Sequence, residues 1–505
     1  MPTPNHEQPV LGGWDETLAD LERRRTAARS MGGPDRLERH RGAGKLDART
    51  RVWELLDPGT FREIGTLVGG EVPADAFVAG TGQIDGRRVM IGAEDFTTLA
   101  GTIAAGSNSK RYRIAEVAVQ ERVPLIMLLE GAGFRPTDGA PGGRSPTDMV
   151  IQARCSCHVP VVTAVMGASA GHGALVAPMS DFTVMTQQGS IFTAGPPVVA
   201  EATGETIDKA DLGGPSVAIP SGLIHALAND DLDALDIIAQ YLAYFPSSAW
   251  SYPPDTDTGD NDERELPEML DIIPRDNRSA YDMKRAIEVI FDGETWMEVQ
   301  AGFGDAVICA LAHLGGHPVA IVANQPQVLA GAIDADAADK AAHFISVADS
   351  FHLPIVFLSD NPGMLPGSRS ERSGVLRSGA RMYAAQSLAR TIKLHVTFRK
   401  AYGFGSMVMG MGAFEGQTAS FAFPGATLGA MSADASGRAM GAEDEQTAAL
   451  RKAELEASYA SASRLGFDEL IDPRETRNLL LGALELALSR RQAAAEPVCR
   501  TAITP

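Results

Sequence analysis

The chain has 505 residues and a formal net charge of −20, from 64 Asp and Glu against 44 Lys and Arg. That length predicts two to four domains with sizeable cores, and an acidic balance with no strongly basic block argues against a general nucleic-acid binder. Four cysteines are too few for a disulfide framework, and neither a lipid-facing apolar run nor a signal-peptide pattern is present, so a soluble cytoplasmic chain with no membrane partner is expected.

In chain order, "RRVMIGAED" (87–95) reads as a strand, "SKRYRIAEVAVQE" (109–121) as a helix and "VPLIMLLEG" (123–131) as a strand. "DMVIQARCSCH" (148–158) follows as a helix. Its Cys155-Ser-Cys157 lacks the paired spacing of a zinc site and predicts buried thiols. "VPVVTAVMG" (159–167) has the β-branched enrichment of a core strand and runs into a glycine corner, Gly171-His172-Gly173. His225 in "PSGLIHALA" is the other histidine in a motif-like setting, and a lone histidine there is more often structural than catalytic. "SSAWSYPPDTDTGDNDERELPEM" (247–269) has linker composition and puts a boundary near Pro267. Beyond it "AADKAAHFISVADSF", "LPIVFLSD" and "HVTFRKAYG" repeat the helix–strand–strand order, and "ETRNLLLGALELALSRR" closes the chain as an amphipathic helix suited to packing or subunit contact. Strand–helix alternation predicts an α/β fold with helices packed outside.

The chain also repeats itself. "ELLDPGTFREI" (54–64) matches "VIFDGETWMEV" (289–299), "GRRVMIGAEDFTTLAGTI" (86–103) matches "GHPVAIVANQPQVLAGAI" (316–333), and "VPLIMLLEGAG" (123–133) matches "LPIVFLSDNPG" (353–363). Two more residues of shift bring Gly171 and Gly173 onto Gly403 and Gly405, which flank Phe404. Two diverged copies of one domain are expected, over residues 1–266 and 267–505. Two glycine corners after core strands either hold two clusters of backbone N–H groups, as a reaction through two oxyanions needs, or are packing glycines of a duplicated fold. No Walker loop or H-E-x-x-H pattern occurs, and "GAGFRPTDGAPGG" (131–143) lacks the dinucleotide register.

The chain resembles the carboxyltransferase (β) subunits of biotin-dependent acyl-CoA carboxylases of the propionyl-CoA and methylcrotonyl-CoA carboxylase type. The resemblance runs from about residue 44 to 477, and rests on "VANQPQVLAGAID" (322–334), "DNPGMLPG" (360–367), "FRKAYGFGSMVM" (398–409), "FTAGPPVVAEATGE" (192–205) and "DLGGPSVAIPSGLIH" (211–225). It implies a tandem duplicated crotonase-like (ClpP/crotonase) α/β fold. It also implies a transfer in which carboxybiotin releases carbon dioxide, biotin nitrogen takes the α-proton, and the thioester enolate attacks. The protein then supplies positioning and two oxyanion holes, without an obligatory side-chain base.

By resemblance, the corner Gly171, His172, Gly173 serves the acyl-CoA enolate, and Gly403, Phe404, Gly405 the biotin carbonyl. The family usually has glycine where His172 stands, so each hole requires a backbone conformation that a residue with Cβ accepts. Glu130, Gly131, Ala132, Gly133 and Phe134 stand at the usual Asp-Ser-Gly-Gly-Ala segment of the acyl-CoA site. Met407 lies where propionyl-type members carry an acidic residue, implying a more apolar acyl pocket. Lys110 and Arg111 are candidates for the CoA phosphates or the pantetheine. The chain has neither a biotinylation sequence nor an ATP-binding portion, so a separate biotin carboxylase and biotin carboxyl carrier subunit must provide carboxybiotin. No metal is implied. The family assembles as a homo-oligomer, a hexamer built as a trimer of dimers. An acyl-CoA decarboxylase subunit of the same fold and a silent scaffold of a carboxylase complex are the alternatives.

Overall fold

The computed structural model describes residues 13–135, 147–412, 416–492 and 494–498. The first half contributes nine strands: β1 (Arg62–Glu63), β2 (Phe77–Ile84), β3 (Arg87–Glu94), β4 (Leu125–Leu129), β5 (Val161–Val165), β6 (Ala168–Ala170), β7 (Phe182–Thr186), β8 (Ser190–Phe192) and β9 (Ala226–Ala228). They form a seven-stranded sheet in the order β1-β2-β3-β4-β5-β7-β9, with β6 and β8 paired as a separate ribbon. The second half gives β10 (Met297–Val299), β11 (Val307–Leu314), β12 (His317–Asn324), β13 (Ile355–Asn361), β14 (Lys393–Tyr402), β15 (Gln417–Ala422), β16 (Thr427–Gly429) and β17 (Glu469–Leu470). Its order is β10-β11-β12-β13-β14-β15-β17, with β16 on the far end of β14. In each half an antiparallel hairpin leads into parallel strands. The duplication is therefore one of topology as well as of sequence.

The parallel strands β4, β5 and β7 are buried along their whole length, as unbroken apolar runs such as Leu125–Leu129 require when both faces are covered. The hairpins turn at Asp85-Gly86 and at Gly315-Gly316, where positive φ at both central residues matches strand twist. The expected helices form over Ala105–Glu121, Asp148–Cys155, Ala335–Ser350 and Thr476–Leu488. Asp334 caps the third by accepting the Ala337 N–H. On the last, Leu480, Leu481, Leu484 and Ala487 pack into the core of the second half.

The two halves also share one continuous core. Phe182 stacks on Tyr241 at 4.1 Å between ring centroids, Tyr241 on Phe245 at 4.6 Å, and Phe245 meets Phe351 of the second half edge-on at 5.7 Å. The linker-like stretch 247–269 is not loose. Leu266 is fully buried, and Arg477, also fully buried, donates to the carbonyls of Asp260 and Asp262. Of its carboxylates, Asp260 pairs with Arg264 at 2.9 Å and lies 3.7 Å from Arg477. His225 is buried too. Its Nδ1 accepts the Thr183 N–H at 2.9 Å, and its ring stacks between Phe182 and His343, a packing role.

Candidate active site

Each half builds the same corner from the same parts. β3 ends at Glu94 and β12 at Asn324, both buried. Glu94 Oε2 accepts the backbone N–H of Glu130 at 2.8 Å, and Asn324 Oδ1 accepts that of Asp360 at 3.1 Å. Beyond those strands the backbone makes a rare left-handed run, Leu99-Ala100-Gly101 with φ of 46°, 55° and 64°, and Leu329-Ala330-Gly331 with 50°, 56° and 84°. Left-handed conformations are unfavourable for residues with a Cβ, so their recurrence at equivalent places marks a shape that both halves keep. Gly101 and Gly331 have no substitute here. A Cβ on either would stand 2.4 Å from the carbonyl oxygen of Glu130 or Asp360.

The glycine corners follow β6 in one half and β14 in the other. Gly171 (φ +59°) and Gly403 (φ +53°) open the short helices Gly171–Ala174 and Gly403–Val408, whereas His172 and Phe404, one residue further in, have no positive φ. A residue with Cβ therefore sits at each corner without strain, because the glycine before it carries the left-handed turn. The glycine after it serves a different end. A Cβ at Gly173 would stand 2.8 Å from Glu94 Oε1, and one at Gly405 only 2.4 Å from Asn361 Oδ1. The N–H groups that open a helix have no intrahelical acceptor, so each corner offers donors at the ends of its parallel strands.

Behind each corner lies a caged carboxylate. Glu130 is buried, with Lys45 Nζ and Arg51 Nη2 each 2.7 Å from its oxygens. Burial would raise its pKa, but Arg51 and Lys45 outweigh burial and hold it below the usual carboxylate range. Asp360 is held by Tyr281 Oη at 2.9 Å, Arg399 Nε at 2.7 Å and Lys400 Nζ at 3.2 Å. Carboxylates tied in this way anchor strand ends. In front of Glu130 opens a cavity of about 290 Å3 lined by Arg36, Arg39, His40, Lys45 and Phe96.

Lys110 and Arg111 do not face that cavity, and the phosphate-contacting role expected of them is corrected by their burial. Lys110 is 2% exposed and donates to the carbonyls of Ala74 and Phe77. Its repeat counterpart Lys340 is equally buried and reaches the Gln300 carbonyl, so the lysine is a duplicated packing device. Arg111 is fully buried between Glu94 Oε1 and Asp148 Oδ2, each at 2.8 Å.

Gly131, Ala132 and Gly133 run beside the left-handed segment. The Ala132 N–H bonds Ala100 O at 2.9 Å, and the Ile103 N–H bonds Gly133 O at 2.8 Å. Phe134 and Met407 are partly exposed, at 39% and 47%. The continuation "PTDGAPGGRSP" (136–146) lies outside the described residues. Sequence reasoning missed Glu94, Asp360 and Asp148, and named Glu130 only as part of its segment. The repeated "LAG" carried a signal for the left-handed runs, but nothing local marked the ion pairs. Among the described residues, no group of His, Cys, Asp and Glu is placed to hold a metal ion, and no helix is long and apolar enough to cross a membrane.

Comparison with known proteins joins these features to a family. The model of the carboxyl transferase domain matches residues 39–500. The methylmalonyl-CoA carboxyltransferase 12S subunit of Propionibacterium freudenreichii subsp. shermanii is 34% identical over 511 residues, covering 97% of each chain. The propionyl-CoA carboxylase carboxyltransferase subunit of Haloferax mediterranei is 32% identical, over 95% of this chain and 97% of its own. Among solved structures, a transcarboxylase 12S crystal structure described as a hexamer assembly, with methylmalonyl-coenzyme A and methylmalonic acid bound, superposes with a TM-score of 0.89. It is 31% identical and covers 98% of this chain and 100% of the other.

Proposed function

This chain belongs to the carboxyl transferase family of biotin-dependent acyl-CoA carboxylases, and from that premise we propose how its two corners divide the reaction. The corner at Gly171, His172 and Gly173 holds the thioester carbonyl of an acyl-CoA, and its N–H groups stabilise the enolate that forms when the α-proton leaves. The corner at Gly403, Phe404 and Gly405 holds the ureido carbonyl of carboxybiotin, delivered by a separate biotinylated subunit. Preorganised backbone donors of this kind are worth about 3–4 kcal/mol each to a transition state. Phe404 lies against Tyr383 with 6.4 Å between ring centroids, and a Cβ on Gly379 would meet Met364 and Phe404. Carboxybiotin supplies carbon dioxide there; this chain orients and polarises.

The observation that carries the reading is the doubled corner. A left-handed glycine, a residue in helical conformation and a sterically required glycine recur in both halves, at ends of equivalent sheets. The cavity lined by Arg36, Arg39, His40 and Lys45 favours the phosphates of CoA over the buried Lys110. Met407 favours an apolar acyl group. A hexamer built as a trimer of dimers, with each site shared between subunits, completes the proposal. The test is carboxylation of a panel of acetyl-, propionyl-, butyryl-, 3-methylcrotonyl- and palmitoyl-CoA with a cognate biotinylated carrier. Turnover of at least one member is expected, and no turnover of any would favour a silent scaffold.

A further inference from the structure

A second cavity, of about 300 Å3, opens where the two halves meet, and none of the corner residues lines it. Gly222 and His225 line it from the first half, and Gln300, Asp339, Lys340 and Arg381 from the second. Gln300 closes the seam. Its N–H donates to His225 O at 2.8 Å, and its Nε2 donates to Gly222 O at 2.7 Å. Lys340 is 2% exposed, and its ammonium makes a single hydrogen bond among the described residues, to Gln300 O at 3.3 Å. It forms no ion pair among them, although buried charges are ordinarily paired. The carboxylates nearby are committed elsewhere. Glu298 pairs with Lys284 at 2.5 Å, Asp305 is exposed, and Asp339 gives its oxygens to Arg381 and Ser378, each at 3.0 Å. Burial therefore lowers the Lys340 pKa against the weaker pull of Glu298 and Asp305. The duplicated lysine packs in both halves, but Lys110 is better satisfied, donating to the carbonyls of both Ala74 and Phe77. His225 adds a neutral donor to the cavity. Its Nδ1 accepts the Thr183 N–H, so the ring proton sits on Nε2, which has no acceptor among the described residues.

We propose that this cavity binds a small oxyanion of the phosphate, sulfate or bicarbonate kind, which pairs with the Lys340 ammonium and ties the two halves of the chain together. With Arg381 matched by Asp339, the net charge left to the cavity is that of Lys340, which suits a compact anion and disfavours a polyanion. The anion supplies the opposite charge that burial demands and that the protein withholds. Bound only by the folded chain, it stabilises the seam between the halves by mass action. The site stands apart from the carboxyl-transfer chemistry, and the inference holds whichever acyl-CoA turns over.

The test is the thermal midpoint of the full chain at fixed pH and ionic strength, in sodium chloride and with sodium phosphate, sulfate or bicarbonate replacing part of it. At least one oxyanion is expected to raise the midpoint by a few degrees and to saturate, and the half-saturating concentrations rank the three ions. Lys340→Met and Lys340→Gln should lose the response. Without oxyanion, Lys340→Met should melt no lower than wild type, since it removes a buried charge that has no partner. Arg39→Gln, in the other cationic cavity, should keep the response. Crystals of the wild type grown in selenate, which has the shape of phosphate, should show an anomalous peak beside Lys340 Nζ, an arm that needs no variant to fold. The proposal is overturned if no oxyanion exceeds chloride, if the Lys340 variants respond as wild type does, if Arg39→Gln abolishes the response, or if Lys340 meets only water in the selenate crystals.

Discussion

Gly171 and Gly173 look alike in the sequence but are required for different reasons. Gly171 needs its left-handed φ while a Cβ there would meet nothing closer than 3.6 Å, so Gly171→Ala costs only backbone strain, about 1–2 kcal/mol. Gly173 and Gly405 have helical φ, where alanine is ordinarily favoured by about 1 kcal/mol, but a Cβ would collide with Glu94 Oε1 or Asn361 Oδ1. Gly405→Ala also meets the main chain at Gly363, 2.6 Å away, and should lower the thermal midpoint more than Gly171→Ala does. Scanning calorimetry on the three variants checks the order. Asp181 offers a pH test. Burial pushes its pKa up to about 7, against the lowering effect of the Val161 N–H that it accepts. The folded chain thus binds a proton that the unfolded chain releases near pH 4. The stability that this contributes is complete below about pH 4 and is lost as pH rises towards 7. Asp181→Asn keeps an acceptor for Val161 and should raise the thermal midpoint at pH 8 relative to wild type, with a smaller gain at pH 5.5. An equal gain at both values would show that Asp181 does not titrate in that range.

At the scale of elements, buried ion pairs fasten helices to strand ends. Arg51 on the helix Ala48–Leu55 is 1% exposed and spans Glu130 at the end of β4 and Asp231 at the start of the helix Asp231–Ala243, at 2.7 and 2.8 Å. Arg51→Leu keeps the bulk but removes the cation paired with buried Asp231 and leaves Glu130 to Lys45 alone, a loss on the order of 3–5 kcal/mol. Its denaturation midpoint should fall well below that of the exposed control Arg113→Leu, whose pair with Glu116 is half in solvent. Met407 lies on the helix Gly403–Val408, whose first residues form the second corner. Met407→Asp should shift preference away from bulky apolar acyl-CoA, because a charge facing an apolar chain must be desolvated. An unchanged ranking over the acyl-CoA panel would remove Met407 from the acyl pocket.

At the scale of the whole molecule, one chain carries both corners, and the question is which pair works together. If each site joins the first corner of one subunit to the second corner of its partner, Gly171→Pro and Gly405→Pro should each be inactive alone. Proline cannot adopt φ +59° and lacks the N–H. Co-expressed hybrids would then contain sites with both defects and sites with neither, so activity should return, to about a quarter of wild type for random pairing in isologous dimers. Hybrids that assemble and stay inactive would place both corners of a site in one chain.

The sequence by itself determined the duplication, the strand–helix alternation, the acyl-CoA carboxyltransferase family and the places of the corner glycines. These are local or repeated features: an apolar run covered on both faces, a hairpin glycine and a left-handed turn each leave their mark within a few residues. It did not determine which face of the helix Ala105–Glu121 is covered. Lys110 and Arg111 look like surface cations in a helical pattern, yet both are buried against the hairpin and strand ends. Nor did it join Asp148 to His172, 24 residues apart, or Glu94 to Arg111. Such pairs exist because neighbouring elements exclude water from both partners, and a buried charge must find an opposite one wherever the fold brings it. That requirement is met in space, across elements, and only the tertiary structure records it.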